Sequence, residues 1–500
     1  MSGYCIGIDI GTTAIKGVLT DRDLTILSQA RQEHHQYFPQ PGWVEQDPDE
    51  LVTRFLDVAR QLIDQAGITP QQVSAIGLDH QGETCLVWDK KTGRSVYPAI
   101  TWQDRRMAES AEEIKKAHGP RIQSITGLQP DSYYSAFKIR WILDHIPDGQ
   151  ARARRGELAA GTLDSYLVWR LTGGKSFTTD PCSASCTMLF DPRGSDWDPW
   201  LLELFDLPRC LMAEVLPCDS HFGRTDSAVF FGAEVPITAT IPDSHAGMTG
   251  INALSPGNLT VSYGTGCFMH FTTGSRYITP EGGLTASSCC ALRGQRFYQL
   301  NGICYTAGSA IKWLQDGIQI LDDDRRSSEI AQSVPDTAGV SFVPAFSGLA
   351  MPYWDQDARG AFLGLTAGVT RAHLIRAVLE SIALQVAANF EVMRSSCSIH
   401  AESIFAMGGI TQNEFLMQYQ ADLTGVPVIL PAQIEPCFGA SRLAWSSLLG
   451  LETPSLIGAA TPPRRVYLPQ KDEQWRREKI TAWQQAVARC LTTSTAPQGV

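Results

Sequence analysis

YCIGIDIGTTAIKGVLTD, residues 4–21, is the stretch whose reading decides the fold. Residues 4–8 are a short apolar run, read as a buried strand, and Asp9 breaks it. Gly11, Thr12 and Thr13 make a tight turn, and residues 15–19 restart the apolar run, so the unit reads as a β-hairpin. A carboxylate at a strand end, followed by glycine and two hydroxyls, suits a phosphate and its metal. Gly11 lets the backbone come close, and turn N–H groups and hydroxyls can donate to phosphoryl oxygens. Asp9 could hold Mg²⁺ directly or through water, and Lys16 adds a positive charge. An ordinary hairpin with a polar tip fits the same residues. The stretch is neither a Walker loop nor a dinucleotide fingerprint, because GKS/T and GxGxxG are both missing.

Outward from the hairpin, residues 29–44 are polar and aromatic and read as a connecting loop. DPDELVTRFLDVARQLIDQAG, residues 47–67, reads as a helix with Asp47 as N-cap, Pro48 first, Glu50 at N3 and Gly67 at the end. Leu51, Phe55, Val58 and Leu62 share one face, so this helix covers a sheet. Residues 73–78 are a buried strand that delivers Asp79, His80, Gln81, Gly82, Glu83 and Thr84 at its end. Residues 85–93 suggest a further hairpin, and residues 160–171 a helix. A strand over 234–241 ends in Pro242-Asp243-Ser244-His245, so Asp243 is a second carboxylate at a strand end. Alternating strands and helices imply an α/β domain with polar residues gathered at the strand ends.

The opening pattern then returns. Residues 259–263 are apolar and β-branched, Gly264-Thr265-Gly266 turn, and residues 267–271 are apolar again. Two such hairpins suggest a duplicated domain, with two Gly/Thr turns able to clamp a polyphosphate from both sides. AGSAIKWLQDG, residues 307–317, reads as a glycine-initiated helix whose N-terminus could face an anion. Residues 346–366 form a loop, 370–394 a long amphipathic helix, and 404–407 a strand leading to Gly408-Gly409 and a helix over 413–424.

Composition excludes several classes. The net charge of -11 argues against a nucleic-acid surface, and obliges a polyanionic ligand to be met by local donors, a metal and a few placed cations. No apolar run approaches the roughly 20 residues of a membrane span, and the N-terminus lacks the basic start and apolar core of a signal peptide. The 13 cysteines are odd in number and scattered, as expected of reduced thiols in a cytoplasmic protein.

Eight stretches, taken together and in order, resemble the FGGY carbohydrate kinases, most closely the glycerol kinase branch. They are DIGTTAIKGV, QGETCLVWDKKTG, AITWQDRR, GTLDSYLVWRLTGG, YGTGCFM, AGSAIKWLQDG, FSGLAMPYWDQDARGAFLGLT and GGITQNEFLMQYQADLTG. The resemblance implies an α/β, two-domain actin-like ATPase (ribonuclease H-like) fold, with duplicated domains around a cleft. It implies transfer of the γ-phosphoryl of MgATP to a hydroxyl of a small polyol or sugar. Residues 1–246 would hold substrate and catalytic base, residues 247–490 the nucleotide, and residues 491–500 a disordered tail. Carried over by position, Asp243 matches the catalytic base and Asp9 the carboxylate near the metal. Thr12, Thr13, Ala14 and Lys16 match the first phosphate turn, with Ala14 for a usual Ser and Lys16 for Arg. Thr265 and Gly266 match the second turn, Gly308 and Lys312 positions near the nucleotide, and Gly409 and Asn413 the adenosine contacts.

On the acceptor side, Glu83, Trp102, Tyr133, Asp243 and Phe268 match residues that hold glycerol in that branch. Gly82 stands where those enzymes have Arg, and Ser244 where they have Gln. Both changes free volume, and His80 adds a donor and acceptor nearby, so a C4–C5 polyol or ketose is favoured over glycerol. Glycerol itself remains the alternative. A non-catalytic actin-like nucleotide switch is a third reading, one that needs no acceptor pocket. A homo-oligomer, dimer or tetramer, is expected.

Overall fold

The computed structural model describes residues 3–451 and 463–492. The opening stretch is a hairpin of Tyr4–Ile10 and Ala14–Thr20, antiparallel, with Asp9 opposite Lys16. Asp9 does not break the strand. It is the penultimate residue, held in the ladder by its backbone while its side chain stands at the sheet's end. The expected loop after the hairpin is in part a third strand, Ile26–Glu33, which pairs with Ala14–Thr20. Its alternation of exposed and less exposed residues is the period-2 signature of an edge strand with one face in solvent.

Each half of the chain carries a sheet of the same plan. The first runs Gly223–Arg224, Pro236–Pro242, Val73–His80, Tyr4–Ile10, Ala14–Thr20, Ile26–Glu33. The second runs Thr285–Leu292, Gln295–Cys304, Cys267–Gly274, Asn258–Tyr263, Ser403–Met407, Val428–Leu430, Arg465–Tyr467. In both, an antiparallel hairpin feeds a third antiparallel strand, while the hairpin's first strand pairs in parallel with the fourth. The fifth extends the parallel side. The duplication expected from the two hairpins is therefore real, and the topology is that of two actin-like ATPase domains.

The first sheet is covered by the helix Pro48–Gln65, whose Leu51, Phe55, Val58 and Leu62 are buried. Asp47 caps it by accepting from the Asp49 N–H, but Glu50 turns away to bond His35 instead of closing a capping box. The other face is covered from an unexpected place. The helix Pro436–Leu449, late in the chain, lies across the strands of the first sheet. Division of the chain at 246/247 is thus not a division of packing. Glycines permit this crossing: a Cβ on Gly7 would stand 1.9 Å from Cys437 O, and one on Gly77 2.1 Å from Ala440 O. The same helix meets Asp243–Gly250 at Gly439, whose Cβ would lie 1.8 Å from Ala246 O.

Two further expectations are corrected. Residues 158–162 are a strand, and the helix begins only at Leu163. Thr162 and Asp164 bond one another at that junction, where a short polar pair stops the strand. At the C-terminus, Leu491 packs against the core and the Thr492 hydroxyl donates to Asp355, so these two residues belong to the folded unit. The rest of the expected tail, 493–500, lies outside the described residues. All 13 cysteines are free thiols. No helix among the described residues is long and apolar enough to cross a membrane.

Candidate active site

Strand order alone assembles the acidic centre. Tyr4–Ile10 and Val73–His80 are adjacent and parallel with Asp9 in register with Asp79, and Pro236–Pro242 lies on the far side of Val73–His80. Asp243 follows that strand directly as the first residue of the helix Asp243–Gly250. Three carboxyls therefore stand together at the ends of three neighbouring strands. Burial raises the pKa of Asp9 to about 7, with the charge of Asp243 adding to the rise. Burial also raises Asp79, with Asp9 and Asp243 contributing, and raises Asp243, whose carboxylate is favoured in turn by the Ser244 N–H at 2.6 Å. A half-buried carboxylate that keeps one N–H donor is equipped to take a proton from an alcohol.

The turn after Asp9 is braced from behind. Gln46 donates to Thr12 O at 2.8 Å, and His34 Nε2 lies 3.0 Å from Gly11 O. The Trp102 indole donates to the Thr12 hydroxyl at 3.0 Å, while Thr13 is exposed. Ala14 is buried and offers only backbone. Lys16 is not a free cation, because it is ion-paired with Glu435 at 2.9 Å.

Behind Asp243, a wall of polar and aromatic side chains lines one side. Trp102 and Tyr133 meet edge to face with centroids 6.0 Å apart. The Tyr133 hydroxyl bonds Glu83, a contact that favours the carboxylate, but burial dominates and raises Glu83 to about 7. Lys138, which sequence reasoning passed over, clamps this wall: its ammonium donates to Glu83 O at 3.1 Å and Tyr133 O at 2.6 Å. Its signal was a lysine at a buried position of an otherwise apolar helical stripe. Ser244 hydrogen-bonds His245 at 3.2 Å, and Phe268 is exposed near the start of Cys267–Gly274, an interior strand of the second sheet.

His80 is not a pocket donor. It is fully buried, with Nε2 2.9 Å from Ser183 Oγ and Nδ1 3.1 Å from Gln81 O. Side chains alternate along a strand, so His80 points to the opposite face from Asp79. The volume freed at Gly82 is also partly filled, since a Cβ there would lie 3.0 Å from Cys186 Sγ.

On the second half, the Gly264-Thr265-Gly266 turn is pinned to the segment that follows residue 306. Gly308 N–H donates to Gly264 O at 2.9 Å and Ser309 N–H to Thr265 O at 3.1 Å. The helix expected to face an anion is only Gly308–Lys312 before a π turn over Trp313–Gly317, and its first N–H groups are engaged by these carbonyls. Gly266 and Gly308 are required by contact: Cβ atoms would stand 2.3 Å from Cys304 O and 2.7 Å from Gly264 O. Ile410 lies against Gly308, bringing Gly409 to the same corner, where nothing occupies the space beside it. Lys312 is exposed. Asn413 caps the helix Glu414–Thr424 through Oδ1 and donates to Ser327 through Nδ2, so its amide is engaged in structure.

Family models for the FGGY carbohydrate kinases match this chain in two parts, the N-terminal domain over residues 4–250 and the C-terminal domain over residues 259–448. The chain belongs to the FGGY family of carbohydrate kinases. It is 40% identical over 490 residues to glycerol kinase 2 of Thermotoga maritima, covering 98% of this chain and 99% of that one. The crystal structure of Plasmodium falciparum glycerol kinase with ADP superposes with a TM-score of 0.94 at 30% identity, covering 98% and 99% of the two chains. A "xyloylose kinase" of Brucella ovis superposes at 0.88 with 25% identity, covering 97% and 98%. This FGGY kinase is thus an ATP-dependent phosphotransferase that acts on a hydroxyl group, and a purely non-catalytic switch is excluded.

Proposed function

We propose that this FGGY kinase phosphorylates a terminal hydroxyl of a short polyol, with glycerol the first acceptor. The observation that carries the reading is the Glu83–Tyr133–Trp102 wall beside Asp243, in a chain 40% identical to a glycerol kinase throughout. Asp243 would take the hydroxyl proton as the oxygen attacks. Glu83, Trp102, Tyr133, Ser244 and Phe268 would orient the acceptor, with Gly82 leaving room beside them. Thr12 and Thr13 would meet the phosphates from the first half, Ala14 through its backbone and Lys16 only on leaving Glu435, and Thr265 and Gly266 from the second. Gly308, Lys312 and Gly409 would border the nucleotide, and Asn413 would hold that corner through its cap. In this division residues 1–246 serve the acceptor and residues 247–490 the nucleotide.

Magnesium fits the acidic centre, because Asp9 Oδ1 and both Asp79 oxygens are buried without a hydrogen-bond partner. With Asp9 as ligand, the ion would neutralise phosphate charge. A cytoplasmic, homo-oligomeric enzyme accords with the free thiols and the resemblance.

A second reading, a C4–C5 polyol or ketose, rests on Gly82 and Ser244. The structure weakens its support, since His80 is withdrawn and Cys186 partly fills the vacated volume. Steady-state kinetics on glycerol, erythritol, ribitol, xylulose and ribulose separate the two. The proposal expects glycerol to give the highest kcat/KM. A four- or five-carbon acceptor ahead by about tenfold, roughly 1.4 kcal/mol, would establish the second reading instead.

A further inference from the structure

The acidic centre holds one carboxyl more than the transfer reaction requires. Asp79 is fully buried, and neither of its oxygens has a hydrogen-bond partner. Asp9, beside it, is 5% exposed and has one orphan oxygen. The pair is in register on adjacent parallel strands, which aims both side chains at the same face. Asp243 adds a third negative charge within electrostatic range of both. The cation that acts on Asp9 and Asp79 is Lys16, and it is already paired with Glu435 at 2.9 Å.

Buried carboxyls without donors do not persist as free anions, since each would carry an uncompensated desolvation cost. Two arrangements satisfy them: a proton shared between Asp9 and Asp79, or a cation between them. The site lies beside the Gly11–Thr13 turn, where a Cβ on Gly11 would stand 3.5 Å from Asp9 Oδ1. Its donors are all hard oxygens, which suit Mg²⁺ or Mn²⁺ rather than a thiophilic metal.

We propose that Asp79 is a second carboxylate ligand, with Asp9, of a divalent-cation site that fills before nucleotide binds. A single carboxylate holds Mg²⁺ weakly and depends on substrate phosphates to complete its shell. A carboxylate pair with three open oxygens supplies enough charge to hold the ion by itself. The nucleotide would then add its phosphates to an ion already in place. The inference rests on the kinase reading for its physiological use, but not for its test.

The test is a Mn²⁺ titration of nucleotide-free protein, followed by loss of the free-ion signal in electron paramagnetic resonance. Wild type should bind one Mn²⁺ without ATP, and Mg²⁺ should displace it. Asp79→Asn, which keeps the shape and removes the charge, should raise the dissociation constant at least about tenfold. The same variant should lose the Mn²⁺-induced rise in Tm. No nucleotide-free Mn²⁺ binding by wild type overturns the proposal without recourse to a variant. Unchanged affinity in folded Asp79→Asn overturns it equally and leaves a shared proton as the explanation. Polyol phosphorylation is measured separately. Activity with Asp79-independent binding sinks this inference alone, whereas Asp79-dependent binding without any polyol turnover sinks the functional reading alone.

Discussion

Asp243 and Glu83 carry opposite duties in one pocket. Asp243 must be ionised to accept a proton, so Asp243→Asn should keep ATP affinity and lose about 10²–10⁴-fold in kcat. In wild type kcat/KM should fall as pH drops through a pKa displaced above the ordinary carboxylate range by burial. Near wild-type turnover in the Asn variant would remove Asp243 from the chemistry. Glu83 bears on stability. Its folded pKa of about 7 lies above the ordinary glutamate value of 4.5, so the folded state holds the proton more tightly. Such a group stabilises fully below about pH 4.5 and loses that contribution as pH rises through about 7. The shift corresponds to at most about 3 kcal/mol, less because the side chain is partly open to the cleft. Urea denaturation from pH 4.5 to 8 should show a shallower decline in Glu83→Gln than in wild type; parallel curves would refute the assignment.

Two glycines show how context decides a substitution at the level of elements. Gly439 lets the helix Pro436–Leu449 touch the helix Asp243–Gly250 backbone to backbone, leaving no room for a methyl group. Gly439→Ala should cost about 1–3 kcal/mol and lower Tm by several degrees, because two packed backbones must separate. Because the displaced helix begins with Asp243, kcat should fall as well. Gly119 sits inside the helix Ala108–Thr126 with only Lys115 Cγ near, at 3.7 Å. Gly119→Ala should therefore be close to neutral, because roughly 0.5–1 kcal/mol of helix propensity is offset by the Pro120 ring, which crowds a Cβ on the preceding helical residue. Differential scanning calorimetry of the two variants checks the contrast. Elements with strong periodicity, such as Pro48–Gln65, were legible from residues alone. Ile26–Glu33 was not, because an edge strand with one wet face resembles a polar loop until its neighbour is known.

For the whole molecule, the site is divided between two sheets joined by crossing helices, and this predicts closure. Water competes with the acceptor for the γ-phosphoryl unless the cleft shuts over both substrates. Small-angle scattering should show a smaller radius of gyration with glycerol and a non-hydrolysable ATP analogue together than with either alone. ATP hydrolysis without polyol should be slow. Identical profiles in all states would count against a closing cleft.

What the sequence by itself determined were the two hairpins, the duplication they imply, Asp9 and Asp243 at strand ends, and the FGGY motifs. These are local signals: apolar runs, a glycine turn, a carboxylate at a boundary. Tertiary structure decided the rest, because it depends on which strands become neighbours. Parallel register set Asp79 beside Asp9 and turned His80 to the opposite face, although the two are adjacent in sequence. Helix packing brought Glu435 to Lys16 from 419 residues away and so paired a cation that had looked free for phosphate. Capping engaged the Asn413 amide, and Cys186 entered the space that Gly82 had vacated. No one-dimensional pattern encodes such pairings, since each is fixed only when distant backbones close to within hydrogen-bonding or van der Waals distance.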